Sequence, residues 1–202
     1  MIDLRNQLRH MGRKRRRHLS TQEQDAAANK VEELVCNHHF YQRVKRVAFY
    51  HANDGELDPS PLLEKSLEMG KECYLPALNP VASFSMYFLR YQPGDKLVPN
   101  QYGILEPVFD AFKVCPPQKL DLVFTPLVRF DLLGNRLGMG AGFYDRCFSF
   151  LKKGPRSTYL LGLGYDFQQT LSITPEPWDI PLDGVATDKK LFFFNRILRD
   201  QL

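Results

Sequence analysis

The sequence predicts an α/β protein, a three-layer α/β/α sandwich around a largely parallel central sheet. Strand-like and helix-like segments alternate along the chain, which favours this class. LDLVFTPLV and TYLLGLGY are apolar almost throughout, as strands covered on both faces are. The 202 residues are 44% hydrophobic, enough for one good core, and no Ser/Gly-rich linker divides them, so a single domain over 1–202 is expected.

Each element has its own signal. In IDLRNQLRHMGRKRRRHL, Leu4, Leu8 and Met11 recur at helical spacing while Arg5 and Arg9 stand one turn apart on a neighbouring face, which predicts an amphipathic basic helix. Ser20 to Glu23 fits a capping box, with Ala27, Val31, Leu34 and Val35 as the apolar stripe of a second helix. RVAFYH (46–51) reads as a strand and ANDGELD as a loop. Asp58 and Pro59 read as N-cap and first residue of a helix through PLLEKSLEM that stops at Gly70. ECYLPAL, SMYFLRY, LDLVFTPLV and TYLLGLGY read as strands and FYDRCFSFLKK as a helix. LFFFNRIL suits a strand or a short helix, and periodicity does not decide between them.

Composition narrows the classes of function. Cys36, Cys73, Cys115 and Cys147 lie far apart with no C-x-x-C pair, which points away from a disulfide framework or zinc site and towards a reducing cytoplasm. No apolar run approaches the roughly 18 residues of a membrane span, and MIDLRNQLRHMGRKRRR lacks the apolar stretch of a signal peptide, so a soluble, unprocessed protein without a membrane partner is expected. Of the 27 Lys and Arg residues, seven fall within Arg5 to Arg17, and an anionic partner is favoured over a cationic one. No heptad is evident, and a monomer is the expectation.

GNRLGMGAGFYDR (134–146) then sets four glycines within nine residues, between a buried strand and a helix. In open α/β sheets, ligands gather where strands turn into helices at their carboxyl ends. Gly138, Gly140 and Gly142 allow backbone N–H groups to approach a phosphate near a helix N-terminus. The G-x-G-x-G spacing is neither G-x-G-x-x-G nor a Walker motif, so on the glycines alone an ordinary strand-to-helix loop stands as an equal reading.

TPLVRFDLLGNRLGMGAGFYDR as a whole resembles the signature block of the 5-formyltetrahydrofolate cyclo-ligase family, with matches at Pro126, Phe130, Asp131, Gly134, Arg136, Leu137, Gly138, Gly140, Gly142, Phe143, Tyr144 and Asp145. The likeness extends to the basic N-terminal helix, Glu56 in GELD, YGILEP (102–107) and Asp183 with Val185. Two positions depart: Ala141 and Arg5 stand where the family often carries lysine.

The resemblance implies an enzyme that converts 5-formyltetrahydrofolate to 5,10-methenyltetrahydrofolate with ATP and Mg2+, releasing ADP and phosphate, and that needs no side-chain nucleophile. It implies an ATP site of Arg5, Arg9, Arg136, the loop Gly138, Met139, Gly140, Ala141 and Gly142, and Phe143, Tyr144 and Asp145. Glu56 is the implied folate contact, with Tyr102, Phe143 and Tyr144 and, from its place at the end of the first strand, His51 as further candidates, and the implied magnesium carboxylates are Asp145 and Asp183. The arginines are also compatible with a polyglutamate tail.

Plainer roles remain open at several of these residues. Arg136 also suits a loop anchor, Asp145 a helix-dipole carboxylate, Asp183 a turn residue, and Phe143 and Tyr144 core positions. Trp178 in PEPWDIP is either a lid or a cover for the core. Arg15, Arg16 and Arg17 are expected to be solvated, so Arg9→Ala should raise KM for ATP or folate while Arg16→Ala should do little. Two readings from other classes are a nucleic-acid-binding module footed on the basic helix and a non-catalytic nucleotide- or sugar-phosphate-binding domain.

Overall fold

The computed structural model describes residues 3–82, 84–154 and 157–194. In chain order it runs α1 (Leu4–Arg16), α2 (Thr21–Cys36), α3 (His39–Arg43), β1 (Arg46–Ala48), α4 (Ser60–Glu68), β2 (Glu72–Leu78), β3 (Met86–Arg90), β4 (Leu97–Pro99), β5 (Leu105–Pro107), β6 (Val114–Cys115), β7 (Leu122–Pro126), β8 (Arg129–Phe130), β9 (Arg136–Leu137), α5 (Phe143–Cys147), β10 (Tyr159–Gly164), β11 (Gly184–Thr187) and β12 (Leu191–Phe193). Short 3-10 turns lie between several of these, one of them directly after α5 at Ser149–Lys152.

Eight strands form the central sheet in the order β12-β11-β10-β7-β1-β2-β3-β6. The pairs β11–β10, β10–β7, β7–β1 and β1–β2 are parallel, and the antiparallel pairs β11–β12, β2–β3 and β3–β6 lie towards the edges. The expected α/β architecture with a mostly parallel sheet is therefore present. Strand periodicity divides the core between two faces: Val47, Phe49, Leu122 and Phe124 pack with α2, α3 and α4, whereas Ala48, Val123 and Leu160 pack with Phe148 and Leu151 after α5.

Local chemistry accounts for the element ends. Ser20 and Glu23 close the capping box, Ser20 Oγ accepting from Glu23 N at 3.3 Å and Glu23 Oε2 accepting from Ser20 N at 2.8 Å. Asp58 Oδ1 accepts from Ser60 N at 3.0 Å, so α4 begins one residue later than its sequence suggests, with Pro59 at the cap. Gly70, at φ +75°, ends that turn in the left-handed region that glycine enters without strain. The first part of LFFFNRIL is the antiparallel edge strand β12, and 195–198 lie outside the described residues.

α1 departs from its expected orientation. Leu4 and Met11 are exposed, and the buried positions are Gly12 and Arg16. The helix therefore packs through an arginine–glycine face, because a Cβ on Gly12 would lie 2.7 Å from Val128 Cγ1 and 2.8 Å from the Val128 carbonyl. Glycine in a helix interior costs about 1 kcal/mol relative to alanine, and here that cost permits α1 to lie against the chain leaving β7.

The strand order also defines the crevice. β1 leads through α4 to β2 on one side, and β7 leads through α5 to β10 on the other, so the chain diverges between adjacent parallel strands. Ligands of open α/β sheets settle at such switch points, outside the carboxyl ends of the strands.

Gly12→Ala tests the packing of α1. Overpacking of this kind costs about 1–3 kcal/mol, more than the roughly 1 kcal/mol of helix propensity gained. The urea midpoint should fall, whereas Met11→Ala on the exposed face should shift stability by no more than about 0.5 kcal/mol. A midpoint raised by Gly12→Ala would show that the helix has slack.

Candidate active site

A cavity of about 730 Å³ opens at this switch point. Its walls come from α1, the segment after β1, β2, the β4–β5 hairpin, the segment after β7, the glycine loop, α5 and 177–179. All of the sequence-derived site residues except Asp183 line it: Arg5, Arg9, His51, Glu56, Tyr102, Arg136, Gly138 through Gly142, Phe143, Tyr144 and Asp145.

The glycine loop is fixed at its carbonyls and open at its amides. Arg9 Nε donates to the Gly138 carbonyl at 3.0 Å, and Arg146 bonds the Ala141 carbonyl. Among the described residues, the N–H groups of Gly138, Met139, Gly140, Ala141 and Gly142 have no hydrogen-bond acceptor. Gly140 (φ +109°) and Gly142 (φ +69°) adopt backbone that side-chain-bearing residues rarely enter. Such a run of unpaired donors suits an anion.

Arg9 stands beside this loop, and Arg5 one turn earlier does not touch it. Arg9 NH1 donates to Asn6 Oδ1 at 2.8 Å. Arg5 donates to the Thr174 carbonyl at 2.7 Å and Asp179 Oδ2 at 2.9 Å, which ties α1 to the segment bearing Trp178. Trp178 itself is exposed at the cavity edge.

Arg136 is buried and donates through NH2 to Asp145 Oδ1 at 3.0 Å, while its Nε has no partner among the described residues. The Ile180 N–H donates to the same Asp145 oxygen at 3.1 Å. Asp145 is thus a structural anchor as well as a cavity carboxylate, and its Oδ2 makes no hydrogen bond among the described residues.

Asp183 is placed elsewhere. It precedes β11 at the amino end of that strand, is 2% exposed, and accepts the Leu160 N–H on Oδ2 at 2.9 Å. The expected pairing of Asp183 with Asp145 in one site does not fit this placement, because the carboxylate stitches neighbouring parallel strands and does not line the cavity. No cluster of three or more His, Cys, Asp or Glu suited to a metal occurs among the described residues. A magnesium ion needs only one or two protein carboxylates when phosphates supply the rest, and Asp145, in the cavity lining, could supply one.

The rest of the lining is acidic and aromatic. Glu56 accepts the Asn53 N–H at 3.2 Å, and its other oxygen lies 3.6 Å from Arg16 NH2. Burial pushes its carboxyl up to about 7, against the opposing pull of Arg16 and Asn53. Tyr144 lies beneath the Arg136 guanidinium, 5.6 Å from the ring centroid, and Tyr102 and Phe84 contact Phe143 edge-on and tilted at 6.2 and 5.9 Å. His51 Nε2 is buried without a partner among the described residues, and burial holds the imidazole below its usual range.

Arg16 overturns the expectation of a solvated basic run. Its side chain is 0% exposed. Nε donates to the Asp54 carbonyl at 2.7 Å, NH2 to Asp54 Oδ2 at 3.0 Å, and NH1 to the Leu127 carbonyl at 3.3 Å. Arg13 and Arg17 also bond Asp54, which sits at φ +55°. Burial alone would raise the Asp54 carboxyl, but these three arginines outweigh it and hold it below the usual range. Sequence reasoning missed both Arg16 and Asp54. The spacing Arg5, Arg9, Gly12, Arg16, with glycine inside a helix, was the available signal for an inward polar face.

Fold and site together define an open-sheet α/β enzyme whose cavity joins a loop of open amides to acidic and aromatic side chains. The sequence profile of the 5-formyltetrahydrofolate cyclo-ligase family matches residues 2–188, and the chain belongs to that family. It is therefore a ligase of folate one-carbon metabolism. It is 39% identical over 178 residues to the 5-formyltetrahydrofolate cyclo-ligase of Haemophilus influenzae, covering 88% of this chain and 94% of that one. Against the Escherichia coli K12 enzyme of the same name it is 38% identical over 182 residues, covering 90% and 99%. The NMR structure of Aquifex aeolicus 5,10-methenyltetrahydrofolate synthetase superposes with a TM-score of 0.79 at 31% identity, over 95% of this chain and 93% of that one.

The raised Glu56 carboxyl yields a pH test of stability. The folded state keeps this proton to higher pH than the unfolded chain, so its contribution falls as pH rises from 4.5 to about 7 and stays low above that. Glu56→Gln removes the titration. Its stability relative to the native protein should increase across that interval by about 3 kcal/mol at most, then level off, in denaturant titrations at successive pH values. A difference independent of pH would show that Glu56 titrates normally.

Proposed function

We propose that the chain catalyses the ATP- and magnesium-dependent conversion of 5-formyltetrahydrofolate to 5,10-methenyltetrahydrofolate, with release of ADP and phosphate. The observation that carries this reading is one cavity with two unlike stretches of wall: open glycine-loop amides with Arg9 and Asp145 in the first, and buried Glu56 in the second. The first wall suits a triphosphate and the second suits the ring N–H and amino donors of a pterin.

The N5-formyl group is an amide, and its oxygen is a poor leaving group. Transfer of the γ-phosphoryl group to that oxygen gives an iminium phosphate and ADP. N10 of the same molecule then attacks the activated carbon, its proton is lost, and phosphate departs as the methenyl bridge closes. Holding N10 beside that carbon contributes on the order of 7–11 kcal/mol to such an intramolecular step.

The protein's part is orientation and charge. Glycine-loop N–H groups, Arg9 and Arg136 face the phosphates, Arg5 holds the 174–179 segment across the opening, and Glu56 with Tyr144 orients the pterin. His51, Tyr102 and Phe143 line the folate side. A magnesium ion held by Asp145 would neutralise charge on the phosphates. Asp183, outside the cavity lining, is left out of this reading.

The reading also takes 1–202 as one domain, acting as a monomer in the cytoplasm on folate, with or without a polyglutamate tail. The free thiols of Cys36, Cys73, Cys115 and Cys147 suit a reducing compartment. Arg5, Arg9, Arg13 and Arg16 all make internal contacts, which lowers support for a nucleic-acid footprint on α1.

Absorbance of the methenyl product should rise on mixing protein, 5-formyltetrahydrofolate, ATP and Mg2+, and should not rise when ATP or Mg2+ is left out. Product formed without ATP would refute the phosphorylation step. Two variants separate the walls. Asp145→Asn keeps an oxygen for Arg136 but loses charge, so turnover should collapse while calorimetric folate binding survives. Glu56→Gln turns an amide N–H towards pterin donors, which costs about 1–3 kcal/mol of folate affinity and spares ATP. Loss of nucleotide binding in Glu56→Gln would reverse the ligand placement.

A further inference from the structure

Arg16 makes no contact with the space of the cavity, yet it lies directly behind its acidic wall. Its guanidinium joins three segments that form the cavity: the loop after β1 through Asp54 and Glu56, the chain after β7 through the Leu127 carbonyl, and the glycine loop through Met139 Sδ at 3.4 Å. A surface arginine would not meet five partners at once. The planar fork of donors is matched here to fixed backbone and carboxylate oxygens.

We propose that Arg16 is a positioning residue for the reaction described above: from a place no ligand touches, it sets the orientation and the charge of the Glu56 carboxylate that faces the folate. The proposal rests on that functional reading. Glu56 is faced by Arg13 and Arg16 from α1, by Asp54 and Tyr50 from the β1 segment, by Tyr144 from α5 and by Tyr165 beyond β10. The tyrosines are held neutral by burial. Of the charged groups, Arg16 alone forms an ion pair with Glu56, at 3.6 Å among the described residues, and it offsets the burial of Glu56 more strongly than Arg13 does. An ionised Glu56 accepts hydrogen bonds from pterin donors, and a protonated one offers a competing donor.

The test is the pH profile of kcat/KM for 5-formyltetrahydrofolate. In the native protein it should rise with pH along an acid limb that is absent in Glu56→Gln. Arg16→Met should move the limb to higher pH by about one unit or more, with activity recovering above it. Arg16→Lys should move it the same way by less. Asp54→Asn, which removes a neighbouring negative charge, should move it to lower pH. An equal loss of kcat/KM at every pH in Arg16→Met, or a limb that stays in place, would overturn the proposal, since a purely structural arginine behaves in that way.

If Arg16→Met fails to fold, Arg16→Lys and Asp54→Asn decide it, because opposite displacements are required. The Glu56 carboxyl can also be titrated by carbon-13 NMR in the ligand-free protein. The same displacements there uphold the role of Arg16 even if the native protein shows no turnover, which would refute the functional reading alone. Unmoved midpoints there refute the proposal whether or not the native protein turns over.

Discussion

The cavity depends on one buried charge and the carboxylate that answers it. Arg16 is fully buried and depends on Asp54: removing the partner of a buried charge costs about 3–5 kcal/mol, because that charge stays behind without water. The pair is completed by backbone carbonyls at Asp54 and Leu127, which satisfy the remaining guanidinium donors. Because those carbonyls belong to the segments after β1 and β7, the ion pair sets the spacing of the crevice at the switch point. Gly12, one turn earlier, permits the approach that brings Arg16 to this position.

Two carboxylates in one loop are driven in opposite directions by this arrangement. Asp54 receives three arginines and stays ionised, while Glu56, two residues on, meets only the edge of one and is held up to about 7 by burial. Similar side chains thus acquire different chemistry from their surroundings. At Asp145 the relation differs again: it shares its Oδ1 between Arg136 and the Ile180 amide, so a carboxylate of the cavity lining also anchors the chain at Ile180.

Much of the sheet was legible in the sequence because buried parallel strands are written as apolar runs, and β7 and β10 are such runs. The glycine loop was legible because missing side chains are a direct record of close approach. α1 was not, since apolar spacing at Leu4, Leu8 and Met11 suggested a hydrophobic face, whereas tertiary packing selected the polar one. Hydrophobic periodicity has no symbol for an arginine buried among carbonyls. Asp183 failed for a related reason: an aspartate before glycine reads alike whether it holds a metal or a neighbouring strand's amide, and only the register of β10 and β11 distinguishes the two.

The contacts of α1 span almost the whole described chain, from Asp54 to Gly138, Thr174 and Asp179. During synthesis this helix emerges well before these partners, the last of which follow more than a hundred residues later. In the interval its arginines are solvated and its large apolar side chains, Leu4, Leu8 and Met11, are few, so the waiting segment is well suited to water. The polar docking face thus permits a long delay between making the helix and seating it, which an apolar face of the same size would fill with wrong partners.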